Sequence, residues 1–92
     1  MNNIVELLKN GQANVIDVRT PEEFMGGHVV GSKNIPLNEI PNRLNELKTM
    51  HNIVLCCAAG GRSHQATMFL HQNGIPCANG GSWMNVNALK NN

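Results

Sequence analysis

The hydrophobic positions of the chain fall into short groups whose spacing alternates between that of helices and that of strands. Apolar residues three or four positions apart indicate helices with one buried face, and uninterrupted apolar groups indicate buried strands. In chain order the pattern predicts a helix closed by Gly11, a strand over residues 15–18, a helix starting at Pro21, a strand over 32–36, a helix with Ile40, Leu44 and Leu47 on one face, a strand over 53–56, a helix ending at Gly74, a strand over 75–78 and a closing helix from Trp83 to Leu89.

The start of the second helix is the most clearly marked boundary. Thr20 offers a side-chain cap, Pro21 occupies the first helical position, and Glu23 completes a capping box. The Gly26-Gly27 pair ends the helix soon afterwards. We therefore expect a short helix directly after the first strand.

Strands that alternate with helices predict a parallel sheet with helices on both of its faces. The run Ile53–Cys56 is apolar throughout, which is typical of a central strand that is covered on both sides. A chain of 92 residues is long enough for one modest core. We therefore predict a single α/β domain of three layers over residues 1–92.

Composition and charge exclude several classes of function. Hydrophobic residues make up 41% of the chain and charged residues 14%, as in a globular protein. The net charge is +1 and the basic residues are scattered, so no nucleic-acid-binding surface is expected. No stretch approaches the ~20 apolar residues of a membrane span, and the N-terminus lacks the pattern of a secretory signal. We expect a cytoplasmic monomer that binds neither nucleic acid nor membrane.

The three cysteines are Cys56, Cys57 and Cys77. Adjacent cysteines do not favour a disulfide, and the paired spacing of a zinc site is missing. In a reducing cytosol all three are thiols. Cys56 and Cys77 fall within predicted strands and indicate packing, whereas Cys57 follows the central strand. No metal ion and no cofactor is expected.

The segment from Cys57 to Ser63 joins the central strand to the next helix. Its small residues let the backbone curl so that successive N–H groups converge, and the helix adds the positive end of its dipole. In such settings the pKa of a thiol falls from ~8.5 to roughly 3.5–7.5. The segment contains no acid, so we expect Cys57 to be an anionic nucleophile. The residues predicted to bind substrate beside it are Ala58, Ala59, Gly60, Gly61 and Arg62.

Asp17 and Arg19 lie at the carboxyl end of the first strand and reach the same edge of the sheet, where ligands of parallel sheets bind. Arg19 is a further candidate for substrate binding, and pairing with a carboxylate is the alternative. Asp17 is expected to brace the structure by accepting backbone N–H bonds. We expect His28 to be packed and hydrogen-bonded rather than a general base, and His64 to be a solvated helix residue.

Three segments resemble the hallmark sequences of single-domain rhodaneses. CAAGGRS resembles their active-site loop, C-x-x-G-x-R-S, and DVRTPEEFMGGHVVGSKNIPLNEI resembles the segment from D-V-R to G-H-x-x-G-A-x-N-I-P. Gly80-Gly81 with Trp83 resembles the terminal G-G-x-x-x-W region, with tighter spacing. The resemblance implies a rhodanese fold without metal or organic cofactor. It also implies a ping-pong reaction in which Cys57 takes sulfur from thiosulfate or another sulfane donor as a persulfide and passes it to cyanide or to a thiol, including a protein thiol.

The chain departs from that family pattern and leaves alternatives open. No leading strand is predicted before the first helix, and alanines stand where thiosulfate-favouring members often carry basic residues. The uncharged loop also suits a persulfide carrier that docks on a partner protein. Counted from Cys56, five residues precede Arg62, the spacing of cysteine phosphatases and arsenate reductases. However, Leu55 stands where those phosphatases commonly have histidine, and Cys56 continues the apolar strand.

Overall fold

The computed structural model describes residues 3–91. Its elements, in chain order, are α1 (Ile4–Lys9), β1 (Asn14–Asp17), α2 (Pro21–Met25), β2 (Lys33–Asn34), a 3₁₀ helix (Leu37–Arg43), α3 (Leu44–Leu47), β3 (Ile53–Cys57), α4 (Gly61–Gln72), β4 (Cys77–Ser82) and α5 (Trp83–Lys90). The predicted alternation of helices and strands is present, with changes of boundary and, in one place, of helix type. None of the helices described between residues 3 and 91 is long and apolar enough to cross a bilayer.

The four strands form one parallel sheet in the order β2-β1-β3-β4. Every residue of β3 is buried, as its uninterrupted apolar run predicted. β1 pairs with β3 in register, ending with Asp17 opposite Cys56. The carboxyl ends of these two strands therefore reach the same edge of the sheet.

Helices cover both faces of the sheet, and β3 shows how the two faces divide. Successive side chains of a strand point to opposite faces. Leu55 and Cys57 lie in the core formed with α4. Val54 and Cys56 lie in a second core, formed with α1 and α5. The three-layered α/β fold is confirmed, and the adjacent cysteines belong to different cores.

The last strand differs from its prediction. β4 begins later than the predicted strand over 75–78 and runs on to Ser82. The pairing register shifts between Leu55 and Cys56 of β3, which leaves Gly80 as an extra residue of β4, a β-bulge. Asparagine and glycine are poor strand formers, so the pattern alone ended this strand too early.

The helix predicted around Ile40, Leu44 and Leu47 consists of two pieces. Pro41 lies inside the first piece, the 3₁₀ helix. Since proline has no N–H to complete an α-helical ladder, the tighter 3₁₀ form occurs there. Ile40 and Leu47 are fully buried, and Leu44 packs against the same core. The buried face is confirmed, and the helix type was wrong.

Candidate active site at the end of the central strand

Cys57 is the last residue of β3, and three residues separate it from α4. Gly60 precedes the helix with a φ of 102°, a left-handed conformation that glycine adopts without strain. Gly60 has no side chain with which to cap the helix. The Cys57 Sγ atom takes that role, because it accepts the Ser63 N–H at 3.4 Å as a capping oxygen would. The sulfur therefore lies at the positive end of α4.

Hydrogen-bond donors surround the Cys57 sulfur. The Gly60 nitrogen lies 2.9 Å from Sγ, and the Ser63 Oγ atom lies 3.4 Å from it. Burial alone would raise the pKa of this thiol. Hydrogen bonds from the Ser63 hydroxyl and from the amides of Ser63, Gly60 and Ala59 outweigh burial, so the pKa is lowered. The arrangement favours an anion on the sulfur.

The two other cysteines have different surroundings. Burial raises the pKa of Cys56 to about 12, with a smaller contribution from the Asp17 carboxylate. Burial likewise raises the pKa of Cys77 to about 11, and its thiol donates to the Thr67 carbonyl oxygen at 3.7 Å. Both are buried free thiols. Cys57 is thus set apart from the other two cysteines by the donors around it.

Ser63 and Asn79 connect the loop to β4. The Ser63 Oγ atom lies 2.7 Å from Asn79 Oδ1 and 3.2 Å from the Gly60 carbonyl oxygen. Asn79 also accepts the Gly81 N–H at 2.9 Å and donates its amide to the Gly60 oxygen at 3.4 Å. Neither residue was predicted to be a site residue. Ser63 stood in the quoted loop motif, whereas the only sequence signal for Asn79 is its place before the paired glycines.

Arg62 is not the unopposed cation that the loop sequence predicts. Glu23 of α2 accepts two hydrogen bonds from it, Nη1 to Oε1 at 2.7 Å and Nη2 to Oε2 at 3.0 Å. Glu23 also accepts the Thr20 N–H at 3.0 Å in the predicted capping box. The hydrogen bond from Arg62, followed by that from Thr20, lowers the pKa of Glu23 to about 2. The loop itself contains no acid, and the carboxylate that pairs with Arg62 comes from α2, 39 positions earlier in the chain.

Arg19 and Asp17 form a buried ion pair beside the site. Arg19 donates from Nε to Asp17 Oδ1 at 3.0 Å and from Nη2 to Oδ2 at 2.8 Å, and this pairing raises the pKa of Arg19. Arg19 also donates to the carbonyl oxygens of Gly27 at 2.7 Å and Glu23 at 3.3 Å. The Trp83 ring centroid lies 5.0 Å from the guanidinium carbon. Asp17 accepts the backbone N–H of Arg19 at 3.0 Å, the kind of bracing expected of it. These contacts favour the carboxylate-pairing interpretation of Arg19 over substrate binding, and they hold α2 in place.

The rim of the loop is exposed and uncharged at Ala58 and Ala59. His64 is exposed in the first turn of α4. His28 stacks on Phe24 with a centroid distance of 3.7 Å, and its Nδ1 atom is hydrogen-bonded to the Phe24 carbonyl oxygen at 2.7 Å. Between residues 3 and 91, no group of three or more His, Cys, Asp or Glu side chains is arranged to hold a metal ion.

Comparison with known proteins agrees with this geometry. A family profile described as a rhodanese-like domain matches residues 2–87. The uncharacterized protein YqhL of Bacillus subtilis is 44% identical over 63 residues, which are 68% of this chain and 50% of YqhL. A sulfurtransferase of Allochromatium vinosum is 35% identical over 60 residues, which are 65% of this chain and 56% of that protein. The chain thus spans about half the length of these curated relatives.

A solved structure provides the same comparison in three dimensions. The crystal structure of SSP1007 from Staphylococcus saprophyticus superposes with a TM-score of 0.78 at 33% identity, covering 95% of this chain and 91% of that chain. The fold, the position of the cysteine loop and the family match agree, and this chain belongs to the rhodanese family.

Proposed function

We propose that this protein is a sulfurtransferase that holds the transferred sulfur as a persulfide on Cys57. The observation that carries the proposal is the set of polar groups around the Cys57 Sγ atom: the N–H groups of Gly60 and Ser63 donate to it, and the Ser63 hydroxyl oxygen lies 3.4 Å away. Such preorganised donors stabilise negative charge on sulfur without rearranging during the reaction. Membership of the rhodanese family, in which one relative is named a sulfurtransferase, supports the same chemistry.

The proposed reaction has two halves. In the first, the Cys57 thiolate attacks the outer sulfur of a sulfane donor such as thiosulfate. A new S–S bond forms as the S–S bond of the donor breaks, and the electron pair leaves with sulfite. In the second, a thiolate or cyanide attacks the terminal sulfur, and the electron pair of the S–S bond returns to Cys57. This is covalent nucleophilic catalysis, and it consumes no external oxidant or reductant.

The loop is better suited to sulfur than to phosphate. Only three residues separate Cys57 from α4, which leaves little backbone to surround a tetrahedral oxyanion. A phosphatase or arsenate-reductase mechanism would use the longer segment that starts at Cys56. That side chain packs in the opposite core with Val54 and Val86, where burial raises its pKa. The phosphatase alternative therefore lacks a suitable nucleophile.

A persulfide carrier is the second candidate, and the rim of the loop is the observation that favours it. Ala58 and Ala59 are exposed and carry no charge, so a partner protein could bring its thiol to the loop without desolvating an ion. An enzyme turns over repeatedly with small donors and thiol acceptors. A carrier, by contrast, passes its sulfur rapidly only to a protein thiol.

Intact-mass measurement after incubation with a sulfane donor tests the proposal. Incubation with thiosulfate, and separately with cysteine persulfide, should add the mass of one sulfur atom, and cyanide should remove it. Cys57→Ala should abolish the adduct. The matched control is Cys56→Ala, which should retain the adduct because this neighbouring thiol lies in the opposite core. Loss of the adduct in the control, with retention in Cys57→Ala, would contradict the proposal.

A further inference from the structure

The charge of the loop is balanced by a residue outside it. Arg62 is the only Lys or Arg side chain between Cys57 and Ser63. Both of its terminal nitrogens face the Glu23 carboxylate, at 2.7 and 3.0 Å, in a two-point pair. The other cation near the strand ends, Arg19, is paired with Asp17. The site therefore relies on amide and hydroxyl dipoles rather than on a free positive charge.

This balance affects how different donors approach. Thiosulfate carries two negative charges at neutral pH and must reach a cysteine that itself reacts as an anion. An unopposed guanidinium beside the thiolate would reduce that repulsion. Arg62 is close enough to have this effect, because the Cys57 thiolate raises the pKa of Arg62, although less than Glu23 does. With Glu23 in place, the field of Arg62 is largely cancelled at distances greater than the separation of the pair.

We propose that Glu23 is a specificity-determining residue, which neutralises Arg62 and so favours donors that carry less negative charge than the thiosulfate dianion, such as the persulfide of a cysteine. The proposal rests on the proposed function of Cys57. In the favoured reaction, the Cys57 thiolate attacks the terminal sulfur of a donor R–S–SH. The Cys57–S–SH persulfide forms as the donor S–S bond breaks, and the electron pair leaves with the thiolate R–S⁻. One S–S bond replaces another, so atoms and electrons balance.

Glu23 is held in this position by more than Arg62. It is the third residue of α2, and its Oε1 atom accepts the N–H and hydroxyl groups of Thr20. Arg19 donates to the Glu23 carbonyl oxygen, which ties the backbone of α2 to the buried ion pair. The carboxylate is therefore a fixed part of the site rather than a mobile surface charge.

The variant Glu23→Gln removes the charge and preserves most of the structure. Glutamine also completes a capping box with Thr20, so α2 should still form. Glu22→Gln is the matched control, because it makes the same change of charge at the neighbouring position of the same helix. Within residues 3–91 the exposed Glu22 side chain makes no hydrogen bond and no ion pair. It therefore reports any general effect of net charge on the approach of an anion.

The experiment measures single-turnover persulfidation of Cys57 by intact mass, with thiosulfate and with cysteine persulfide as separate donors. Glu23→Gln should raise the thiosulfate rate relative to the cysteine-persulfide rate by roughly three- to eight-fold at low salt, and added salt should reduce the gain. Glu22→Gln should change this ratio by less than about 1.5-fold. The ratio is informative because damage to the loop would slow both donors together.

Three outcomes would overturn the inference. An unchanged ratio in Glu23→Gln would show that the carboxylate does not select donors. An equal fall of both rates would show that it only supports the loop, and an equal gain in Glu22→Gln would show an effect of net charge alone. If the wild-type chain formed no adduct with either donor, the proposed function itself would be wrong.

Discussion

Gly80 provides a strong test of the packing behind the site. A Cβ atom on this residue would lie 2.6 Å from Val86 Cγ2, 2.8 Å from Val54 Cγ1 and 3.2 Å from the Leu55 carbonyl oxygen. Both valines are fully buried, and branched side chains have few alternative rotamers, so relief requires a shift of α5 or β3. Overpacking of this kind costs about 1–3 kcal/mol. At roughly 4–8 °C per kcal/mol for a domain of this size, Gly80→Ala should lower the Tm by roughly 4–24 °C.

Three companion variants make this prediction decisive. A Cβ on Gly61 would meet nothing within 4 Å, so Gly61→Ala should stabilise the fold by about 0.4–1 kcal/mol through the unfolded chain. Val86→Ala removes the nearest clash, so the cost of the Gly80→Ala, Val86→Ala double variant should be smaller than the sum of the single costs. Urea unfolding of the wild type and of the four variants measures these free energies. Wild-type stability in Gly80→Ala, or strict additivity in the double variant, would refute the packing argument.

Three other expectations concern polar groups of the site and the core. Ser63→Ala removes the hydroxyl that helps to lower the pKa of Cys57, so alkylation by iodoacetamide should reach half its maximal rate at a higher pH than in the wild type. Asp17→Asn leaves the buried Arg19 guanidinium without its counter-charge and should cost about 3–5 kcal/mol in urea unfolding. Because folding raises the pKa of Cys56 from 9.0 to about 12, its contribution to stability is present below pH 9.0 and is lost as the pH rises towards 12. The free energy of unfolding should fall over that window, and should fall less steeply in Cys56→Ala.

Features of the fold that depend on neighbouring residues were predictable from the sequence. The start of α2 depends on Thr20, Pro21 and Glu23, and the structure contains the capping box that these residues predicted. The uninterrupted apolar run of β3 likewise predicted a fully buried strand. In the structure every residue of that strand faces a core. The surroundings of Cys57 also belong to this class, because its main hydrogen-bond partners lie within six positions of it.

Features that depend on distant residues were not predictable. β4 is poor in strand-forming residues, and it forms because it pairs along the buried edge of β3. Asn79 contacts Ser63 from β4, at the residue before the bulge at Gly80. No local propensity encodes such contacts, since they arise when separate elements pack against one another.

The same division separates the reactivity of the site from its selectivity. The nucleophile is set by a strand end, a short loop and a helix N-terminus, which are consecutive in the chain, so the motif identifies Cys57 as the candidate. The net charge that a donor meets depends on Glu23, which arrives from α2 and is invisible in the loop. On the proposed role of Glu23, two chains with the same cysteine loop would differ in donor preference through one residue of another helix. Donor preference should accordingly be judged from the balance of charge around Arg62, rather than from the loop sequence alone.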